Sequence, residues 1–332
     1  MIAQLDYEYI RTRPYKAITR LVSYLLFEGR PITTRGRWIN PLVLFHLKIL
    51  KHMPLTKKVH KPIFIVGCGR SGTTILGKIL SLHPEIGFLN EPKAIWHTIF
   101  AEEDVFGNYT DRHGRYFLYR SDVTERVREA AHRIFNTFLL ITRTRRLLDK
   151  YPELIFRVPF VKEIFPDAKF IFIVRNGLAT CRSIVAWSSA KSVSKGNKKH
   201  DWWGVDGKKW HLLIEDVICK DTYFSNLLEE IQKFESPSDW AVVEWIATMR
   251  TGLQQLRNHE ASFYFLKYEK LVQEPNTELS QLLRFCELCQ DNKLLTYASK
   301  VLQPTYHRDY FKINPILKPL FTDTMRSLGY DV

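Results

Sequence analysis

Ile63 to Val66 form an unbroken apolar run that enters a glycine-rich turn, and from Thr73 to Leu82 the residues Ile75, Leu76, Ile79 and Leu80 share one helical face. This pattern predicts strand, loop, helix. A second short strand is expected at Ile86 to Leu89. A long helix is expected from Asp122 to Asp149, where Val127, Ala130, Ala131, Ile134, Phe135 and Phe138 recur at three-and-four spacing and Asp122 with Glu125 can cap the start. Leu154 to Val158 and Lys169 to Val174 read as strands separated by a helical turn, with helix resuming over Gly177 to Trp187. Lys208 to Asn258 is helical with a break at Ser236-Pro237, Ser262 to Leu266 is a further strand, and Thr277 to Leu288 an amphipathic helix. Strands separated by helices predict an α/β chain with a central, mainly parallel sheet of about five strands. Lys191 to Lys209, polar, basic and rich in Ser, Gly and Trp, reads as a long loop.

Composition changes this picture at the N-terminus. The 332 residues carry a formal net charge of +14, and residues 1 to 62 hold 12 Lys or Arg against 3 Asp or Glu. Such an excess points to an anionic ligand or surface, whether nucleotide phosphate, nucleic acid, anionic sugar or anionic lipid. Ile18, Leu21, Val22, Leu25 and Leu26 lie at helical spacing beside Arg13, Lys16 and Arg20, and a second apolar helix is expected from Asn40-Pro41 to Leu50. Residues 1–60 therefore read as a basic, amphipathic helical extension before a domain at 61–332. The extension can pack on that domain or lie on anionic membrane. No stretch reaches 18 apolar residues and no signal-peptide pattern is present, so a cytoplasmic protein, soluble or peripheral at the membrane, is expected. Five scattered cysteines do not form a disulfide framework, and Cys286-x-x-Cys289 reads as core residues because no second pair completes a zinc site.

Gly67-Cys-Gly-Arg-Ser-Gly-Thr-Thr74 stands where a strand opens a helix, the setting in which backbone amides and the helix dipole cradle phosphate. Gly67 and Gly72 are spaced as in a Walker A loop. Thr73-Thr74 replaces the Lys-Ser or Lys-Thr that serves terminal phosphates and magnesium in NTPases, and Arg70 brings the charge instead. No metal is expected. Lys169 to Val174 delivers Arg175 at a strand end, with Ser183 eight residues on. Glu91, in Asn90-Glu-Pro-Lys93, can reach the mouth of the loop as a general base.

The run IVGCGRSGTTIL resembles the 5'-phosphosulfate loop of sulfotransferases that use 3'-phosphoadenosine 5'-phosphosulfate (PAPS), and FPDAKFIFIVRNGLATCRSIV resembles their 3'-phosphate segment. FLKYEKLVQEP and the terminal Leu328-Gly-Tyr-Asp331 are similar to late segments of the same family, nearest in spacing to tyrosylprotein sulfotransferases and bacterial relatives. The resemblance implies a three-layer P-loop-like fold. It also implies that Arg70, Ser71, Gly72, Thr73 and Thr74 hold the donor's 5' end, and that Arg175 and Ser183 hold its 3'-phosphate. Glu91 would act as base, Lys150 and Arg70 would bear on the transferring group, and 3'-phosphoadenosine 5'-phosphate (PAP) would be the product. Donor contacts are also expected between Leu302 and Lys318, among Tyr306, His307, Arg308 and Lys312. Trp187 departs from the Arg that the tyrosylprotein enzymes place there. Residues 188–238 are expected on the acceptor side, and Trp187, Trp202, Trp203 and Trp210 can stack on a sugar or cap the core. The acceptor is a hydroxyl on saccharide, lipid or glycolipid, or tyrosine; nucleic acid is not expected. The rival readings are an atypical P-loop kinase or NTPase and a non-catalytic module for anionic lipid or nucleic acid.

Overall fold

The computed structural model of the chain describes residues 2–31, 33–34, 36–303 and 311–331. Five parallel strands form the central sheet: β1 (Ile63–Gly67), β2 (Ile86–Asn90), β3 (Arg146–Lys150), β4 (Lys169–Val174) and, after a separate small hairpin region, β8 (Phe263–Lys267). Their spatial order is β2-β3-β1-β4-β8. Because strand side chains alternate between faces, one strand supplies two cores. Phe64, Val66, Phe170, Phe172 and Val174 enter one apolar cluster, whereas Ile63, Ile65, Ile171 and Ile173 enter the other on the opposite face. Helices cover both faces, giving the expected three layers.

Three segments differ from the expectation. The helix expected over 122–149 runs only from Glu125 to Thr142, with Thr124 as its N-cap in place of Asp122, and stops where Arg143 turns left-handed at φ 52°. No Gly or Pro marks this stop. Arg146–Lys150 is then drawn into the sheet between β1 and β2, where Leu147 and Leu148 fill opposite cores. Conversely, the expected strand at 154–158 is a 3-10 turn (Pro152–Arg157) leading into a helix at Val158–Ile164. Prolines at the first turn of both segments favour that outcome over ladder pairing. The stretch read as a loop at 191–209 carries the small antiparallel sheet β5 (Val193–Lys195), β6 (Lys198–Asp201) and β7 (Gly204–Val205).

The N-terminal extension closes the open edge of β2. Lys16 Nζ donates to the carbonyls of Pro84 (3.0 Å) and Ile86 (2.7 Å), and Glu28 accepts from the N–H of Asn90 at 2.7 Å. Arg20 pairs with Glu28 on two nitrogens, and Arg13 reaches Asp291. The three basic residues that made the helix look membrane-facing thus turn inward, and Lys16 with Glu28 satisfies polar groups of an edge strand that would otherwise be free.

Candidate active site

In a parallel sheet every strand ends on the same side, so the carboxyl ends of β1, β2, β3 and β4 assemble one crevice. β1 feeds the glycine loop, and the helix that follows begins at Thr73 with Gly72 left-handed at φ 91°. A Cβ on Gly72 would sit 2.2 Å from the Tyr268 ring, and one on Gly69 2.5 Å from the Trp202 indole, so both glycines let aromatic side chains close onto the loop. The first-turn N–H groups of this helix have no intrahelical acceptor. Ser71 is fully buried and its Oγ has no hydrogen-bond partner among the described residues. An orphaned hydroxyl beside free amides fits an anionic oxygen.

The second motif meets the first. Arg70 Nε donates to Ser183 Oγ at 3.0 Å, and Arg175 Nη1 donates to the Arg70 carbonyl at 3.2 Å while its guanidinium lies 4.8 Å from the Tyr268 ring centre. Desolvation, followed by repulsion from Arg175, lowers the Arg70 pKa from its ordinary value. Neither guanidinium has an ion-pair partner among the described residues, although Glu91 acts on Arg70 from a distance, and two cations held together in this way suit anionic charge. Glu269 accepts from the N–H of Asn176 (2.9 Å) and from Tyr330 Oη (2.8 Å), which fixes the turn after Arg175 through the chain's Leu-Gly-Tyr-Asp ending.

Glu91 and Lys150 face each other across the β2–β3 pair, where Asn90 and Lys150 are in register. The Glu91 N–H donates to the Lys150 carbonyl at 2.7 Å, Lys150 Nζ donates to Glu91 Oε1 at 2.5 Å, and Lys93 Nζ lies 3.3 Å from Oε2. Lys150 is 1% exposed and sits on a strand end, not at the helix end its sequence context suggested. Glu91 is 36% exposed and adopts φ 50°, a conformation that stores strain and recurs at functional sites. Burial raises its pKa, but Lys150 and then Lys93 outweigh this and hold the carboxyl well below 4.5. Its contribution to stability is therefore complete above pH 4.5 and lost as pH falls toward the lowered value. In the ligand-free protein the Glu91 carboxyl, followed by carbon NMR, is expected to titrate below 4.5; a midpoint at or above 4.5 would contradict the lowered carboxyl.

A cavity of about 400 Å³ opens on this crevice, lined by Arg70, Thr73, Thr74, Glu91, Lys93 and Trp187 among others. Sequence reasoning missed part of its wall. Lys209, 1% exposed, joins Glu153 (3.1 Å) to Glu244 (2.6 Å), and Glu244 in turn accepts from Trp202 Nε1 at 2.8 Å. Burial disfavours the Lys209 charge, but the carboxylates prevail and raise its pKa. Lys93 was legible two residues after Glu91; Lys209, inside a basic tract, had no distinguishing signal. Tyr24, Arg30 and Thr33 of the extension also line the cavity. Trp187 and Trp202 meet edge to face at 5.4 Å on the cavity wall, whereas Trp203 and Trp210 are buried. Lys312 is exposed, and Tyr306, His307 and Arg308 lie outside the described residues. Among the described residues no His, Cys, Asp and Glu group is arranged to hold a metal, and the Cys286-Cys289 pair splits into one buried and one exposed thiol.

Residues 62–217 match the model of the sulfotransferase family. The nodulation protein NoeE of Sinorhizobium fredii is 26% identical over 232 residues, covering 66% of this chain and 48% of that protein. Protein-tyrosine sulfotransferase A of Caenorhabditis elegans is 25% identical over 244 residues, covering 72% and 53%. The chain thus spans about half the length of these relatives. The crystal structure of sulfotransferase STF9 from Mycobacterium avium aligns over 99% of this chain and 93% of its own with a TM-score of 0.52 at 12% identity, a likeness of fold.

Proposed function

We propose that this chain, whose residues 62–217 belong to the sulfotransferase family, transfers a sulfuryl group from PAPS to an acceptor hydroxyl and releases PAP. The observation that carries the reading is the meeting of Arg70, Arg175 and Ser183 at the carboxyl ends of β1 and β4. Two separate anion-binding segments within hydrogen-bond reach suit a nucleotide phosphorylated at both 5' and 3' positions. Ser71, Thr73, Thr74 and the loop amides take the 5' end, and Arg175 with Ser183 the 3'-phosphate. Ser183 Oγ accepts from Arg70 Nε and can donate its own proton to a phosphate at the same time.

In the transfer, the acceptor oxygen forms a bond to sulfur, the bridging S–O bond breaks, and its electron pair leaves on the 5'-phosphate of PAP. The acceptor proton passes to Glu91. A carboxylate held by two lysines is a weak base, and the same geometry supplies the remedy. Negative charge arriving with the donor competes for Lys150 and Lys93, loosening their hold and raising the basicity of Glu91 when it is needed. Lys150 then neutralises charge on the leaving oxygen. The acceptor hydroxyl belongs to a saccharide, a lipid or a tyrosine.

Calorimetric titration with PAP, 5'-AMP and magnesium-ATP tests this reading. PAP is expected to bind best, and Arg175→Ala to weaken PAP by about tenfold to a hundredfold, the worth of a charge-assisted hydrogen bond, while leaving 5'-AMP nearly unchanged. Preference for magnesium-ATP, or equal loss of both nucleotides, would overturn it.

A further inference from the structure

The N-terminal extension has a second face that the catalytic site does not use. Its inward stripe of Lys16, Ala17 and Arg20 packs on the domain, while Ile18, Leu21 and Leu25, one helical turn apart, are exposed. On the helix Asn40–Leu50, Val43, Leu47 and Leu50 face inward and Leu42, Phe45 and Ile49 face solvent at 63%, 65% and 49% exposure. Trp38, just before that helix, is 77% exposed. The segments Ser23–Phe27, Asn40–Leu50 and Glu125–Thr142 meet at one buried ring. Phe27 lies 5.4 Å from His46, the neighbour of Phe45, and 5.1 Å from Phe138, less than a turn from the exposed Leu140 and Ile141. Exposed apolar side chains clustered in this way mark an interaction surface.

Charge selects the occupant. All three acids of residues 1 to 62 are engaged: Asp6 with Lys78, Glu8 with Lys300 and Glu28 with Arg20. Exposed Arg11, Lys48, Lys57 and Lys58 have no carboxylate partner among the described residues. Arg143 is exposed beside Ile141. A second copy docking on this face would set one cationic rim against another with no free acid in either extension. An anionic bilayer offers both an apolar interior for Leu42 and Phe45 and negative headgroups for the rim.

We propose that residues 10–31 and 36–58, with the end of the helix Glu125–Thr142, form a face that docks in the interface of an anionic lipid bilayer, without crossing it. None of the described helices is long and apolar enough to span. Because Tyr24 and Arg30 of the same unit line the cavity, docking holds the site beside the lipid surface.

The test is flotation of the full chain with phosphatidylcholine vesicles, with and without phosphatidylglycerol. Binding is expected only with the anionic lipid and is expected to weaken with salt. The double variant L42S/F45S is expected to lose it, and K48E/K57E to lower it by roughly fivefold or more per charge removed. All four side chains are exposed, so thermal melting of both variants should match the parent. Absence of binding to either vesicle, equal binding to both, or binding unchanged in both variants overturns the proposal. Concentration-dependent self-association abolished by L42S/F45S, without vesicle binding, also overturns it and assigns the face to a second copy. PAP titration of the same samples is independent of these outcomes.

Discussion

Glu91→Gln is expected to lower kcat for sulfuryl transfer by about 10²- to 10⁴-fold, the usual worth of a positioned general base. PAP affinity should change little, because the base acts on the acceptor and the glutamine preserves the carbonyl contact to Lys150. Losing the carboxylate charge also weakens the hold on Lys150 and Lys93, so donor affinity should stay level or rise. The measurement is single-turnover transfer with labelled PAPS once an acceptor is identified, alongside PAP titration of the same protein. A variant retaining full kcat would remove Glu91 from the proton path. In that case Glu153, which lines the same cavity and is held low by Lys209 against its own burial, is the next carboxylate to examine.

Lys209→Met is the second large effect. The ammonium lies between Glu153 and Glu244 with almost no solvent contact, and deleting it leaves two buried carboxylates facing each other. Loss of one partner from a buried ionic cluster costs about 3–5 kcal/mol. The urea midpoint should fall accordingly, and the loss should ease at low pH, where the stranded carboxyls protonate. The cluster also holds Trp202 through Glu244, and Trp202 closes on Gly69, so PAP affinity should fall in Lys209→Met at temperatures where the protein remains folded. An unchanged midpoint would mean that the two carboxylates are neutral or reached by water without the lysine.

The sequence by itself determined the glycine-rich loop between β1 and its helix and the strand β4 that leads to Arg175 and Ser183, and it singled out Glu91 as a candidate. These are local: a run of β-branched and aromatic residues must enter a strand, a left-handed position demands glycine, and a loop followed by an apolar helical face places amides at a helix start. The alternation of strand and helix also sufficed for a parallel sheet. It did not suffice for β3, because residues 143 to 150 carry no breaker and Leu139, Leu147 and Leu148 suit a helix as well as a strand; only the slot between β1 and β2 decides for extension. Lys150 consequently came to lie beside Glu91 through pairing with Asn90 across the sheet. The Lys209 cluster joins residues 153, 209 and 244 from three separate elements, and no spacing in the chain encodes such a meeting. Tertiary structure likewise decided the sense of the N-terminal helix. Its periodicity defines a polar and an apolar stripe but not which of them faces the protein, and the unpaired polar edge of β2 drew Lys16 and Glu28 inward, leaving the leucines outside.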